Sequence, residues 1–227
     1  MARYSISAFL ARQTCQIAQQ VKTYHPIEYR GTRYGSSQRP SDARWEWAAA
    51  TLQAHGANNV LDLGCCEGDF VRRASKAGYF ALGLDHACGR LMMGSNTIWG
   101  DKQIMSGFAL AQIDPALVDR LPRFDAVLFL SVLHHIMARN GEPYACELLR
   151  RLGERVVGQV LLFEMGTSLE KTHKWASQLP DMGSAPADWV GDFLGRAGYR
   201  DVRVLGWSDA WDSRYRRPMF AAASPER

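Results

Sequence analysis

Residues 60–70 read VLDLGCCEGDF, and this stretch decides the fold. A run of apolar residues of strand length leads into a turn that holds Gly64 and Gly68, and a helical pattern follows at once. Ligands of open α/β sheets bind outside the carboxyl ends of the strands, where glycine lets the backbone approach them closely. The turn is therefore the first candidate binding site.

The residues of this turn restrict the ligand. The turn lacks the Gly-Lys-Ser or Gly-Lys-Thr ending of a Walker A loop, and its glycine spacing differs from the Gly-x-Gly-x-x-Gly of dinucleotide-binding folds. Asp62 ends the predicted strand, just before the turn. A carboxylate there repels a pyrophosphate but suits a ligand with a cationic amino group.

The same alternation of strand and helix continues along the chain. Near-continuous apolar runs of strand length recur at residues 79–85, 124–131 and 156–164. Helical patterns lie between them, which predicts a doubly wound α/β sheet covered on both faces. Two final strand candidates, 199–207 and 216–223, have no helix between them and predict an antiparallel finish at the edge of the sheet.

Other segments decorate this core. Residues 4–22 predict an amphipathic helix, with large apolar residues at helical spacing: Ile6, Phe9, Leu10, Ile17 and Val21. Ser41 is the predicted N-cap of a second helix that runs to about His55 and stops at Gly56. Residues 165–186 predict an irregular insertion above the sheet.

In this order the motifs resemble those of class I S-adenosylmethionine-dependent methyltransferases. Asp62, Gly64 and Gly68 match the first motif of that family, although its commoner form has a further glycine where Cys66 stands. Asp85 stands where the family places the acidic residue that binds the ribose hydroxyls. Residues 113 and 114 match the loop near the adenine, and 124–136 match the fourth strand motif.

The resemblance implies a fold, a cofactor and a set of residues. The fold is a Rossmann-like, mostly parallel seven-stranded sheet with an antiparallel edge strand, spanning residues 56–227. Residues 1–55 form a helix and lid of the same domain. The cofactor is S-adenosyl-L-methionine, with S-adenosyl-L-homocysteine as product. The implied cofactor-binding residues are Asp62, Gly64, Cys65, Gly68, Asp85, His86, Ile113, Asp114, Ser131 and Arg44.

Candidate catalytic residues follow the fourth strand. His134 and His135 stand where the fold flanks the reacting methyl group, and imidazole accepts a proton near neutral pH. The alternative is that one of these histidines only packs against or caps the next helix. We favour His135 of the two as the base.

The N-terminal segment is the candidate lid. It interleaves tyrosines with arginines, whose guanidinium groups match carboxylate and phosphate geometry. Arg39 or Arg44 is expected to reach the cofactor carboxylate. Four residues are expected to contact the acceptor: Tyr29, Arg30, Arg39 and Glu164.

The acceptor class rests on a narrower resemblance. The lid, SVLHHI at 131–136, LLFEMG at 161–166 and RRPMF at 216–220 are similar to the methyltransferase domain of bacterial O-antigen chain-terminating methyltransferase–kinases and related glycan-biosynthesis methyltransferases. That branch implies an oxygen of a sugar or sugar phosphate as acceptor. An RNA or tRNA, a small natural product, and a catalytically silent scaffold that binds the cofactor remain alternatives.

Composition agrees with one globular unit. The 227 residues are 47% hydrophobic and 22% charged, with a net charge of +4 that is too small to indicate nucleic acid by itself. Five cysteines without paired spacing, no signal peptide and no apolar span predict a cytoplasmic protein without a metal site or membrane segment. A dimer through the first helix or through the edge hairpin remains open.

Overall fold

The computed structural model describes residues 6–37, 39, 41–99 and 106–225. Within these ranges the elements in chain order are α1 (Ile6–Gln20), β1 (Lys22–Thr23), β2 (Ile27–Tyr29), β3 (Thr32–Tyr34), β4 (Ser36–Ser37), α2 (Asp42–Ala54), β5 (Asn59–Leu63), α3 (Asp69–Lys76), β6 (Phe80–Asp85), α4 (Cys88–Trp99), β7 (Ser106–Leu110), α5 (Pro115–Val118), β8 (Phe124–Leu130), α6 (Leu133–Asn140), α7 (Glu142–Arg155), β9 (Val157–Glu164), a 3-10 helix (Lys174–Gln178), α8 (Pro186–Arg196), β10 (Arg200–Asp209) and β11 (Arg216–Ala223).

Seven of these strands form the central sheet, in the order β10-β11-β9-β8-β5-β6-β7. The five strands from β9 to β7 run parallel, and β11 runs antiparallel to both of its neighbours. The predicted mostly parallel sheet and its antiparallel finish are confirmed. The reversed strand β11 lies one place in from the edge, because β10 adds outside it.

The central strands β5, β8 and β9 are mostly apolar because helices cover both faces of the sheet, whereas the outer strand β10 carries charged residues. Val127 and Phe129 of β8 belong to a core that includes buried residues of α6, α7 and α8. Their neighbours Ala126 and Leu128 belong to a second core, formed with α2, α3 and α4. Alternate side chains of one strand therefore fill two separate cores.

The predicted N-terminal helix is present, but its large apolar residues do not form its buried face. Residues 4 and 5 of the prediction lie outside the described residues. α1 packs against α4, and Asn96 Nδ2 donates to Thr14 Oγ1 over 3.3 Å. The helix buries mainly small residues, which let the two helices approach closely: Ala8, Ala11, Thr14, Cys15 and Ala18. The residues that predicted the helix face outward: Ile6, Phe9, Leu10, Ile17 and Val21.

The second predicted helix is present as α2, with Gly56 just beyond its end at a φ of +58°. Ser41 is the N-cap residue of this helix, as predicted, and its carbonyl accepts from Trp45 N over 2.8 Å, but its side chain makes no capping hydrogen bond. The hydroxyl of Ser41 instead accepts from Arg73 Nη2 of α3 over 3.3 Å. Among the described residues, no helix has the length and apolar character to cross a bilayer.

Candidate active site

The glycine turn joins β5 to α3 at the carboxyl edge of the sheet. Gly64 has a φ of +81°, and a Cβ there would lie 2.3 Å from Cγ2 of Val132. Gly68 has a φ of +72°, and its Cβ would lie 2.6 Å from the ring of Phe108. Both glycines are thus required by the backbone conformation and by close packing against neighbouring elements.

Cys66 occupies the middle of the turn with a φ of +50°. This left-handed conformation disfavours a residue with a Cβ, which explains why glycine is the commoner residue here in the family that the motifs resemble. The backbone amide of Cys66 connects the turn to the end of β6, because Cys66 N donates to Asp85 Oδ2 over 2.8 Å.

Asp85 ends β6 as a buried carboxylate held from two sides. In addition to Cys66 N, the amide of Ala87 donates to Asp85 Oδ1 over 2.7 Å. Each carboxylate oxygen keeps a further lone pair, so the group can still accept two hydroxyl donors. His86 follows at the surface, with Nδ1 3.6 Å from Asp85 Oδ1.

Asp62 lies at the end of β5 and is also buried. Burial, followed by the charges of Asp85 and Asp69, raises the pKa of its carboxyl to about 8. A bound cationic group would reverse this effect, because an opposite charge at short range favours the ionised carboxylate.

A cavity of about 1100 Å³ opens above these residues. It spans the carboxyl ends of β5, β6 and β8, where the strand order of the sheet reverses. This is the general ligand position of open α/β sheets. Most of the residues predicted to bind a cofactor line it: Asp62, Gly64, Cys65, Asp85, His86, Ile113, Asp114 and Ser131. Asp114 also caps α5, since its Oδ1 accepts from Leu117 N over 2.8 Å.

A buried ionic network lies beside the cavity. Arg39 is fully buried and donates from Nη2 to Glu164 Oε2 over 2.7 Å. Its Nη1 donates to the hydroxyls of Ser131 and Tyr24. Ser131, at a φ of +62°, in turn donates to Glu164 Oε1 over 2.5 Å. The adjacent charges hold the pKa of Glu164 down at about 2 despite its burial, and raise that of Arg39.

Arg44 belongs to the same network and not to the cavity wall. Its Nη1 lies 3.9 Å from Glu164 Oε2, and its guanidinium lies over the ring of Phe70. Burial, followed by the charge of Arg39, lowers the pKa of Arg44 to about 10. The residues that line the cavity include neither arginine, and Glu164 also lies behind them. The network therefore supports the site from beneath, and the expected direct contacts of Arg39, Arg44 and Glu164 are not seen.

The structure does not bring Tyr29 and Arg30 to the cavity. Tyr29 is buried against Ala11 and Cys15 of α1, because β2 turns this side chain toward the helix. Arg30 is exposed in the tight turn between β2 and β3, at a φ of +51°. The acceptor contacts that the sequence predicted for these two residues are thus not supported.

The two candidate histidines differ in their surroundings. His134 is buried, and its Nδ1 accepts from the amide of Gly166 over 3.0 Å. Burial, followed by the charge of Arg217, holds the pKa of His134 well below its usual range. The neutral ring then carries its proton on Nε2, so His134 is a hydrogen-bond donor and not a base.

His135 is exposed at the cavity wall, one residue further along α6. Partial burial lowers the pKa of His135, and the nearby Arg217 lowers it further. The ring is therefore neutral at pH 7 and has a nitrogen that can accept a proton. Of the two histidines, the geometry suits His135 as a base.

Several residues of the cavity wall were not predicted from sequence. Arg217 of β11 is buried and binds Glu170 through two hydrogen bonds of 2.8 and 2.6 Å. Trp175 lies against the ring of His134 and beneath a stacked His173. Trp211 lies on the same wall, where it packs against Tyr24 of the predicted lid with ring centroids 6.0 Å apart. No local sequence pattern singled out Arg217, Trp175 or Trp211.

Glu67, in the glycine turn, is another residue that the sequence did not single out. Its carboxylate accepts from the backbone amides of Tyr24 and His25, over 3.1 and 3.3 Å. This buried side chain fastens the N-terminal segment to the turn. Tyr24 and His25 therefore cover part of the cavity, as expected for a lid.

The fold and the residues at the carboxyl edge of the sheet define a class of protein: the chain has the fold of class I S-adenosylmethionine-dependent methyltransferases. The solved structure of the N-terminal domain of EvdMO1, determined with S-adenosylhomocysteine and D-fucose, matches 99% of this chain and 99% of its own, with a TM-score of 0.67 at 19% identity. Magnesium protoporphyrin IX methyltransferase from Synechocystis PCC 6803, with bound S-adenosylhomocysteine, matches 80% of this chain and 82% of its own, with a TM-score of 0.59 at 18% identity.

A particular protein is similar in both sequence and structure. The O-antigen chain terminator bifunctional methyltransferase/kinase WbdD of Escherichia coli is 27% identical over 124 residues, which are 54% of this chain and 17% of that protein. A solved structure of WbdD matches 95% of this chain and 44% of its own, with a TM-score of 0.74 at 21% identity. The chain thus aligns with less than half of WbdD. No protein-family model matches the sequence.

Proposed function

We propose that the protein is an S-adenosylmethionine-dependent methyltransferase. The observation that carries the proposal is Asp85, a buried carboxylate at the end of β6, presented to the cavity by amides of Cys66 and Ala87. A carboxylate in this position suits the two hydroxyls of a ribose. The fold alone is a weaker argument, because one fold hosts many functions.

The remaining residues of the cavity fit the same cofactor. Asp62 lines the cavity and would suit a cationic amino group, and the buried apolar side chain of Ile113 suits a flat base. The volume of about 1100 Å³ leaves room for an acceptor beside a molecule of this size. S-adenosylmethionine supplies an electrophilic methyl group, and S-adenosylhomocysteine is the product.

We propose an oxygen of a sugar or sugar phosphate as the acceptor. Aromatic side chains of the cavity wall, among them Trp175 and Trp211, offer flat apolar faces for a ring, and Arg217 provides a cation near His135. Two proteins of the same fold support this class, since WbdD terminates the O-antigen and the EvdMO1 domain was solved with D-fucose. The activity on porphyrin named for the Synechocystis enzyme shows that the fold does not by itself determine the acceptor.

In this proposal the protein contributes alignment and a base. Transfer of a methyl group is an in-line displacement, so most of the rate comes from holding the acceptor oxygen on the line of attack. His135 takes the proton from the acceptor hydroxyl, while His134 holds the wall by accepting the amide of Gly166 at Nδ1. The network of Arg39, Glu164 and Ser131 keeps the end of β8 in place.

Two experiments test the proposal in sequence. Calorimetric titration with S-adenosylmethionine and S-adenosylhomocysteine is expected to give saturable binding of both, and the absence of binding overturns the cofactor assignment. A transfer assay with tritiated methyl groups then screens sugar phosphates, glycans, total RNA and small metabolites. Label in sugars supports the acceptor class, and label only in RNA or in a small metabolite replaces it. Binding without transfer to any acceptor class favours the silent scaffold.

A further inference from the structure

The outer face of α1 is an apolar surface that the described part of the structure leaves largely exposed. Five large side chains there are 41–79% exposed: Ile6, Phe9, Leu10, Ile17 and Val21. Successive helical residues are rotated by about 100°, so the four within α1 share one face, opposite the small residues that pack on α4, and Val21 directly follows the helix. A soluble surface rarely concentrates large apolar side chains in this way without a binding role.

The pattern on this face is symmetric about its middle. Ile6 and Val21 lie equally far from a midpoint between residues 13 and 14, and so do Leu10 and Ile17. Phe9 lies on the same face but is not part of this symmetric pattern. Gln13, an exposed polar residue, lies close to the centre.

We propose that this face binds the same face of a second copy of the chain, with the two α1 helices antiparallel about a two-fold axis. In this arrangement Ile6 meets Val21 of the second copy, and Leu10 meets Ile17. A two-fold interface requires such a self-complementary surface. Antiparallel pairing also opposes the two helix dipoles, and each Gln13 can donate to and accept from its counterpart at the axis.

The available area is at the lower limit for such a pair. The five exposed side chains present roughly 500 Å² per chain, so their complete burial in a pair removes on the order of 1000 Å² from solvent, the minimum expected of a specific interface. Two further exposed glutamines, Gln16 and Gln20, flank the face and suit the polar rim of an interface.

The edge hairpin is a weaker candidate for self-association. β10 is the outer strand of the sheet, and its first half carries Arg200, Asp201 and Arg203. Charged side chains on an edge strand disfavour pairing with another strand. Of the two dimer surfaces that the sequence left open, we therefore favour α1.

Sedimentation velocity across a concentration series tests the proposal directly. We expect the wild-type chain to be a dimer, and Ile17→Asp to raise the dissociation constant at least tenfold. Because Ile17 is exposed in the single chain, the variant is expected to keep its thermal unfolding midpoint, and Leu10→Asp provides a second variant. The matched control is Gln19→Asp, which places the same charge on the flank of the helix and is expected to leave the dimer intact.

Cross-linking tests the geometry. In a Cys88→Ser background, which removes the exposed thiol, Gln13→Cys is expected to form a disulfide-linked dimer on oxidation, whereas Gln19→Cys is not. A monomeric wild-type chain overturns the proposal. So does a dimer that survives Ile17→Asp and Leu10→Asp, or one in which the residue 19 variant cross-links instead. A monomer that sediments with phosphatidylglycerol vesicles assigns the face to a lipid surface and overturns the proposal as well.

Discussion

The guanidinium of Arg39 and the carboxylate of Glu164 form a bidentate ion pair, with Nη1–Oε1 and Nη2–Oε2 distances of 2.7 Å each. Both side chains are fully buried, although 125 residues separate them in the chain. The pair joins the N-terminal lid to the end of β9, beside the hydroxyl of Ser131. It is therefore a structural tie beneath the candidate site.

The first prediction concerns this ion pair. Arg39→Ala leaves the Glu164 carboxylate buried without its main partner, and we expect a loss of about 3–5 kcal/mol in the free energy of unfolding, measured by urea denaturation. The control is Arg33→Ala, which removes an exposed ion pair with Asp42 and is expected to cost less than about 1 kcal/mol. Similar losses in both variants would contradict a special role for the buried pair.

The second prediction concerns the proposed ribose site. Asp85→Ala is expected to weaken the binding of S-adenosylhomocysteine by about 1–3 kcal/mol, because hydroxyl donors lose their acceptor. Asp125 is a matched control, since its carboxylate also accepts from a backbone amide but lies beside Asn58 at the start of β5. Asp125→Ala is expected to change stability and leave the calorimetric affinity unchanged. An unchanged affinity in Asp85→Ala would overturn the proposal that Asp85 binds the ribose hydroxyls.

The third prediction concerns the protonation of Asp62. Its pKa of about 8 means that most molecules carry the protonated carboxyl at pH 7, and a bound cationic amino group lowers this pKa. Cofactor binding at pH 7 is therefore expected to release close to one proton. Titrations in buffers with different heats of ionisation measure this release, and Asp62→Asn is expected to abolish it. Proton uptake on binding would contradict the prediction that Asp62 loses its proton when the cofactor binds.

The fourth prediction separates the two histidines. His135→Asn is expected to lower kcat by about 10²-fold or more, and to remove the loss of rate at acidic pH that protonation of His135 causes. His134→Asn keeps an acceptor for the amide of Gly166, and we expect a loss below about tenfold from a change in packing alone. Transfer rates measured from pH 5 to 9 with the acceptor found in the screen distinguish the two roles. Equal losses would argue against a base at residue 135.

The fifth prediction separates backbone strain from close packing in the glycine turn. Gly31→Ala adds a Cβ at a φ of +78° where no atom lies within 4 Å, so only the strain of about 1–2 kcal/mol is expected. Gly64→Ala adds the same strain and a clash with Val132, and is expected to cost clearly more. Val132→Ala in the Gly64→Ala background should recover part of the lost free energy of unfolding, measured by urea denaturation.

Cys66→Gly removes the strain of a side chain in the left-handed region. It is expected to change the free energy of unfolding by less than about 1 kcal/mol.

The parts of the fold that could be predicted from sequence are those set by local pattern. Continuous apolar runs indicate strands buried on both faces, and Asp62, Gly64 and Asp85 mark the strand ends that meet at one edge. These residues do line one cavity, because parallel strands place their carboxyl ends together.

The parts that could not be predicted depend on distant partners. Arginine in the lid indicated a ligand contact, but the partner of Arg39 is Glu164 of β9, the fifth strand after Arg39 in the chain. The cavity wall combines Tyr24 of the lid with Trp175 and Trp211, which come from two later segments of the chain. No local sequence pattern indicates that these three segments meet. Likewise, periodicity in α1 identified a helix without indicating which of its faces packs inward.

The tie between Arg39 and Glu164 has a consequence for the order in which the protein folds. During synthesis the lid emerges from the ribosome well before β9, so its arginine has no carboxylate to bind until more than a hundred further residues have followed. Contacts with such a large separation form late, after strands that are neighbours in sequence have paired. The lid is thus expected to be made before the sheet but to reach its native position after it, by closing over a sheet that is already assembled.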